Sequence, residues 1–152
     1  MRRSFILALA AALLLACSTS SKPAERRALL RETSPGAVQI VPVEGQLPYC
    51  LVFTVSRPGV VRLRTASVED LSVPCKAGQP IGEAALSIPP EEGPVRIHVL
   101  FSDRPLEARL IDEQIRDLAK EKPAFTAMDL RAPGQVLGEI IEFTPASARS
   151  SP

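Results

Sequence analysis

The chain has 152 residues, of which 45% are hydrophobic, and this is enough for one domain with a single core. Its 18 Lys and Arg barely exceed its 17 Asp and Glu, and it has five Phe, one Tyr and no Trp. This composition excludes the basic, aromatic-rich surface of a nucleic-acid-binding protein. Fifteen prolines favour turns and short strands over long helices.

The first 16 residues have the layout of a secretory signal peptide. Arg2 and Arg3 precede an uncharged run rich in Leu and Ala that ends at Cys17. The run is shorter than the roughly 20 apolar residues that a membrane-spanning helix needs. Its last residues, Leu14-Leu15-Ala16-Cys17, resemble the lipobox of bacterial lipoproteins.

That resemblance implies that diacylglycerol is attached to the Cys17 thiol, that residues 1–16 are removed and that the new amino terminus is acylated, for example with palmitate. Ser18 resembles the signal that sorts lipoproteins to the outer membrane. An ordinary cleaved signal with an incidental cysteine remains the alternative. Arg2-Arg3-Ser4-Phe5-Ile6 also resembles a twin-arginine signal, but it lacks the Ser before and the Lys after, which favours the general secretory route.

The remaining chain divides into three parts by composition. Residues 17–36 are predicted to be the lipidated cysteine and a flexible tether, with a short helix possible at 24–31. Residues 37–143 are predicted to form a β-rich globular domain, and residues 144–152 a disordered tail.

Alternation of apolar and polar residues predicts a mainly β fold for the domain. Strands are expected at 37–42, 49–55, 61–64, 71–74, 84–88, 95–101 and 136–143, with Arg57-Pro58-Gly59 as a hairpin turn. The last of these strands is apolar on both faces, which indicates a central or covered strand. Such a pattern is typical of a small antiparallel β-sandwich-like domain.

One amphipathic helix is predicted after Ser102-Asp103-Arg104-Pro105, which supplies a capping side chain and a first-turn proline, and before Pro123, which ends it. Its apolar stripe consists of Leu106, Leu110, Ile111, Ile115 and Leu118. Packing on the domain's own sheet is the expected role of this stripe, and docking on a partner or a membrane is the alternative.

Cys50 and Cys75 are the cysteines that remain if Cys17 carries lipid. In an exported domain they are expected to form a disulfide, which closes a loop of about 26 residues. A redox or zinc pair is the alternative, although the spacing is not Cys-x-x-Cys and zinc would have to recruit His98 and a carboxylate.

His98 is the sole histidine, and the strand pattern places it on the polar face opposite Val95, Ile97 and Val99. A hydrolase would use it with Ser102, oriented by Asp103, or with a carboxylate, but no nucleophile-elbow motif marks a serine. We therefore expect no catalytic residue, no metal site and no cofactor, and we expect His98 to be dispensable.

The segment 93–107 is similar to the last strand and following helix of an uncharacterised all-β domain family in bacterial envelope and signalling proteins, a family that implies no reaction. Together these patterns predict a lipid-anchored outer-membrane lipoprotein that faces the periplasm and acts as a non-enzymatic binding or assembly module. Its expected partners are the membrane and an envelope protein, with no nucleic acid. The alternatives are a small-ligand carrier with a pocket between helix and sheet, and an envelope hydrolase that uses His98.

Overall fold

The computed structural model describes residues 25–122 and 124–146, and its fold is mainly β, as predicted. The strands are β1 Ala28–Ser34, β2 Ala37–Pro42, β3 Tyr49–Ser56, β4 Val61–Leu63, β5 Val73–Pro74, β6 Leu86–Ser87, β7 Val95–Ser102 and β8 Val136–Phe143. Helix α1 is Ala108–Glu121, and short 3-10 turns lie at Pro90–Glu92 and Ala127–Asp129.

The strands form two antiparallel sheets. The first sheet has the order β1-β2-β6, and the second has the order β4-β3-β7-β8, with the short β5 also paired to β3. Arg57-Pro58-Gly59 does form the turn between β3 and β4, because Val55 pairs with Val61. The β-sandwich-like architecture predicted from the alternation is therefore confirmed.

The core between the two sheets is built from apolar side chains that point inward from both. Val38 and Ile40 of β2 meet Val52 of β3 and Ile97 and Val99 of β7, and all five are fully buried. The alternation along these strands thus buries one face of each sheet.

A second core covers the opposite face of the larger sheet. Leu51 and Phe53 of β3 pack there against Ile111 and Ile115 of α1 and against Phe125, which follows the helix. Strands β3 and β7 are therefore covered on both faces, and the domain has three layers. Ile97 lies between the sheets, whereas Ile115 lies between sheet and helix.

The predicted tether was too long. Ala28–Ser34 forms β1, which pairs with β2 over six residue pairs and buries Ala28. The strand is poorly marked in the sequence because it lies at the edge of its sheet, where most of its side chains are exposed. The helix considered at 24–31 is also wrong over its described part.

The position of β8 differs from the prediction as well. It pairs only with β7 among the described strands, so it is an edge strand rather than a central one. Its apolar residues on both faces reflect partial cover, since Leu137 and Ile141 pack against the core between the sheets while Ile140 is 38% exposed.

Helix α1 is present, but it starts at Ala108 and receives no cap from the predicted Ser102 to Pro105 segment. Asp70 takes that role from a distant loop: its backbone carbonyl accepts from the N–H of Ala108, and its carboxylate accepts from the N–H of Arg109. Asp70 itself adopts φ 60°. Of the predicted stripe, Ile111 and Ile115 are buried, Leu118 is partly buried and Leu110 is 43% exposed. Leu106 is buried as well, but it precedes the helix.

Candidate functional site

His98 lies on the face of β7 opposite Val95, Ile97 and Val99, as predicted, but this face is buried and not polar, which corrects the prediction. Its side chain points to the helix side of β7, is 2% exposed, and stacks on Phe125 with the ring centroids 4.4 Å apart and the planes 8° from parallel. The segment after α1 folds back over β7 and places Phe125 there. Alternation along the strand could not reveal this cover.

Burial strongly alters the chemistry of this imidazole. Desolvation, together with the nearby positive charge of Arg96, lowers the pKa of His98 from 6.5 to about 4. Its Nε2 atom has no hydrogen-bond partner among the described residues. The ring is therefore neutral at pH 7 and packs as an aromatic group.

The other two members of the considered triad have their own partners. The Ser102 hydroxyl donates to the carbonyl oxygen of Arg104 at 2.8 Å, and the Asp103 carboxylate accepts from the N–H of Gln135 and from the Arg104 guanidinium. Ser102 lies four residues beyond His98 along the same strand, about 13 Å away at the usual rise. A nucleophile and its base must approach to about 3 Å, so the three residues do not form a triad.

Asp103 instead fixes a loop. The pKa of its carboxyl is lowered, chiefly by the hydrogen bond from Arg104 and further by the N–H of Gln135. Asp103 also donates its own N–H to the Gln135 carbonyl, so the end of β7 is tied to the start of β8.

The cysteine pair is a disulfide, as predicted. Cys50 on β3 and Cys75 just after β5 are bonded, with their Cα atoms 5.8 Å apart. Cys50 is fully buried in the core between the sheets. Both thiols are thus used in a cross-link, and within 25–122 and 124–146 no group of three His, Cys, Asp or Glu side chains is placed to hold a metal ion.

Glu139 makes a connection that the sequence analysis missed. This β8 side chain accepts hydrogen bonds from the backbone N–H groups of Arg27 and Ala28, where the chain enters β1. It thereby joins the edge strands of the two sheets. In the sequence, Glu139 is the lone carboxylate among the apolar residues on the inward face of β8, which indicates that it needs a hydrogen-bond partner. The sequence does not reveal that this partner is the backbone at Arg27 and Ala28.

An open hollow of about 350 Å³ lies where β3 and β8 end and β7 begins. Val55, Pro94, Ala124 and Phe143 give it an apolar lining, and Arg57 stands among the charged residues of its wall. The hollow is near the lower size limit of small-molecule sites.

Cys17 and Ser18 lie outside the described residues, so their roles stay predictions. In the part of the chain that is described, no helix has the length and apolarity required to cross a bilayer. Comparison with protein-family models, with curated proteins and with solved structures found no match for this chain.

Proposed function

We propose that the protein is a lipid-anchored lipoprotein of the bacterial outer membrane, with a periplasm-facing domain that serves as a binding or assembly module without catalysis. The observation that carries the proposal is Leu14-Leu15-Ala16-Cys17 at the end of a signal-like apolar run. Acyl chains on Cys17 contribute about 0.8 kcal/mol per buried methylene, so two or three chains anchor the protein nearly permanently.

The Cys50–Cys75 disulfide supports export. Structural disulfides form and persist in oxidising compartments such as the periplasm, and they are rare in the cytosol. A domain that contains this bond therefore suits the compartment to which a lipoprotein signal leads.

The distance from the anchor to the domain limits where a partner can lie. Only 11 residue steps separate Cys17 from Ala28, the first residue of β1. Fully extended, they reach about 40 Å at most. Because Glu139 holds the backbone at Arg27 and Ala28, the domain stays near the membrane surface, and its partner is an envelope protein within that reach.

The arrangement of polar side chains supports binding over catalysis. Ser102 and Asp103 are engaged in local hydrogen bonds, and His98 is a buried, stacked ring about 13 Å from Ser102. A general base must reach the proton that it abstracts, and this imidazole is sealed beneath Phe125.

The test compares Cys17→Ser with Ser18→Asp in cells fed a labelled fatty acid. We expect Cys17→Ser to accumulate as an unlabelled precursor because the acceptor thiol is lost. Ser18→Asp should keep the label but move to the inner membrane, since Asp directly after the lipidated cysteine resembles the signal that retains lipoproteins at the inner membrane. Labelled or normally processed Cys17→Ser protein in the membrane fraction would refute the lipoprotein proposal.

A small-ligand carrier is the second candidate, and the apolar hollow beside Val55 and Ala124 favours it. If the hollow holds an apolar ligand, Ala124→Trp should fill it and reduce binding of an apolar fluorescent probe, whereas Val60→Trp, at an exposed position in the turn, should not. Equal probe binding by both variants would remove this candidate.

A further inference from the structure

The outer edge of β8 is the longest regular edge in the described part of the molecule. All eight residues of β8 pair with β7 in unbroken register, and none of the other described strands pairs with its outer side. Its backbone groups on that side are therefore available to another strand. Ile140 is 38% exposed there, and Leu137 and Ile141 are only partly buried.

The other sheet edges carry features that discourage pairing. β1 has a register break between Glu32 and Ser34. β4 has three residues, and β5 and β6 have two each, with Pro74 ending β5. Short strands, bulges and prolines are the usual protection of an edge, and β8 has none of these three. Of its two carboxylates, Glu139 is turned to the backbone of β1.

The chain's own N-terminal segment is one possible occupant, because Glu25 and Arg26 line the same surface hollow as Gly138 and Ile140. Its sequence, however, is Ser18-Thr19-Ser20-Ser21-Lys22-Pro23-Ala24. Pro, Lys and Ala are depleted in strands, Pro23 has no N–H to donate, and no large apolar side chain is present to cover Ile140.

A second copy of β8 supplies what this edge lacks, and we propose that the protein forms a dimer through antiparallel pairing of β8 with β8 of a second copy. In a symmetric antiparallel pair, the helices of both copies can lie on the same face of the joined sheet. The two-fold axis then passes through a point where one residue lies directly opposite the same residue of the second copy. A centre at Glu139 would set two like charges opposite each other, which is destabilising. A centre at Ile141 would set Leu137 opposite Pro145, which cannot donate a hydrogen bond.

A centre at Ile140 avoids both problems. Ile140 then lies opposite Ile140 of the second copy, Leu137 opposite Phe143, Glu139 opposite Ile141 and Glu142 opposite Gly138. No like charges are opposed, and the exposed or half-buried apolar residues of the edge cover one another. The two larger sheets become one continuous sheet. This inference does not depend on lipid attachment to Cys17.

The test is disulfide cross-linking of the full chain, purified from whichever cell fraction contains it, with Ile140→Cys and the matched control Glu142→Cys on the same strand and face. Directly paired residues have Cα atoms 4.5–5.5 Å apart, within the range of a disulfide. Two copies of residue 142 would be separated by four residue steps, about 13 Å. We expect several-fold more covalent dimer with Ile140→Cys than with Glu142→Cys, after subtraction of any dimer that Cys17 forms in the unsubstituted chain.

Equal cross-linking of the two variants would mean random collision and would overturn the proposal, as would a cross-link only at residue 142. Absence of cross-linking at Ile140 in protein that keeps its normal melting temperature would do the same. A further variant, Ile140→Lys, sets two positive charges on the axis, so it should lower the dimer fraction in sedimentation. An unchanged dimer fraction would contradict the register.

Discussion

The buried imidazole of His98 should make the stability of the domain depend on pH in the range from 6.5 to 4. The folded protein binds this proton less readily than the unfolded chain does, because the pKa of His98 is about 4 in the fold and 6.5 ordinarily. The contribution of neutral, buried His98 to the free energy of unfolding is therefore complete above pH 6.5. It is lost progressively as the pH falls, and it is fully lost below about pH 4.

The pKa difference sets the size of the effect. At 1.36 kcal/mol per pKa unit, the shift from 6.5 to about 4 corresponds to a loss of about 3 kcal/mol in the free energy of unfolding. This is a large part of the 5–15 kcal/mol that is typical of domains. Carboxylates also titrate near pH 4. The effect of His98 is therefore isolated by the difference in free energy of unfolding between the natural chain and a variant without the imidazole.

The measurement is urea unfolding at several pH values for the natural chain and for His98→Phe, which keeps an aromatic ring against Phe125 but cannot be protonated. The stability difference between the two proteins should change by about 3 kcal/mol between pH 7 and pH 4 in favour of the variant. Any packing strain from the larger ring is nearly the same at each pH and cancels. Curves that stay parallel over this range would refute the reasoning.

The same burial changes the expectation for His98→Gln, which a solvated position would have tolerated. The Gln amide would be buried where the imidazole Nε2 has no partner among the described residues. An unsatisfied amide costs about 1–3 kcal/mol, so this variant should be less stable than the natural chain at pH 7.

Three further predictions concern the fold. Replacement of both Cys50 and Cys75 by Ser should lower the free energy of unfolding by roughly 3.5 kcal/mol. Thiol alkylation of the native chain before reduction should leave both cysteines unlabelled, and ready labelling would contradict the bond. Asp70→Ala should cost about 1–2 kcal/mol by thermal unfolding because it removes the carboxylate that accepts from the first turn of α1, and a neutral result would contradict this cap. Ile97→Asp and Ile115→Asp each bury a charge, in the core between the sheets and beneath the helix respectively, so both should unfold the domain by circular dichroism, and a folded spectrum would contradict the layer assignment.

The elements that could be predicted from the sequence are those with a strong local pattern. The alternation from Val95 to Phe101 predicts β7, and the stripe that includes Ile111 and Ile115 predicts α1. The cysteine pair was also predictable, because Cys50 and Cys75 are the two that remain beside Cys17, and a disulfide is the simplest expectation for such a pair in a domain predicted to be exported.

The errors arise where a residue's surroundings are set by distant parts of the chain. His98 is buried by Phe125, and α1 is capped by Asp70, which no local rule could connect to it. The sequence pattern does not reveal β1, because its side chains are mostly exposed and its stability comes from pairing with β2 and from Glu139. Edge or central position in a sheet likewise depends on strand order, which alternation does not encode.

The most direct test of the proposed function is the mass of the N-terminal peptide of the native protein isolated from membranes. We predict a peptide that begins at Cys17 and carries the added mass of a thioether-linked diacylglycerol, with a further acyl group on the amino terminus. A peptide that begins at another residue, or an unmodified Cys17, would contradict the claim that this domain is held in the envelope by lipid.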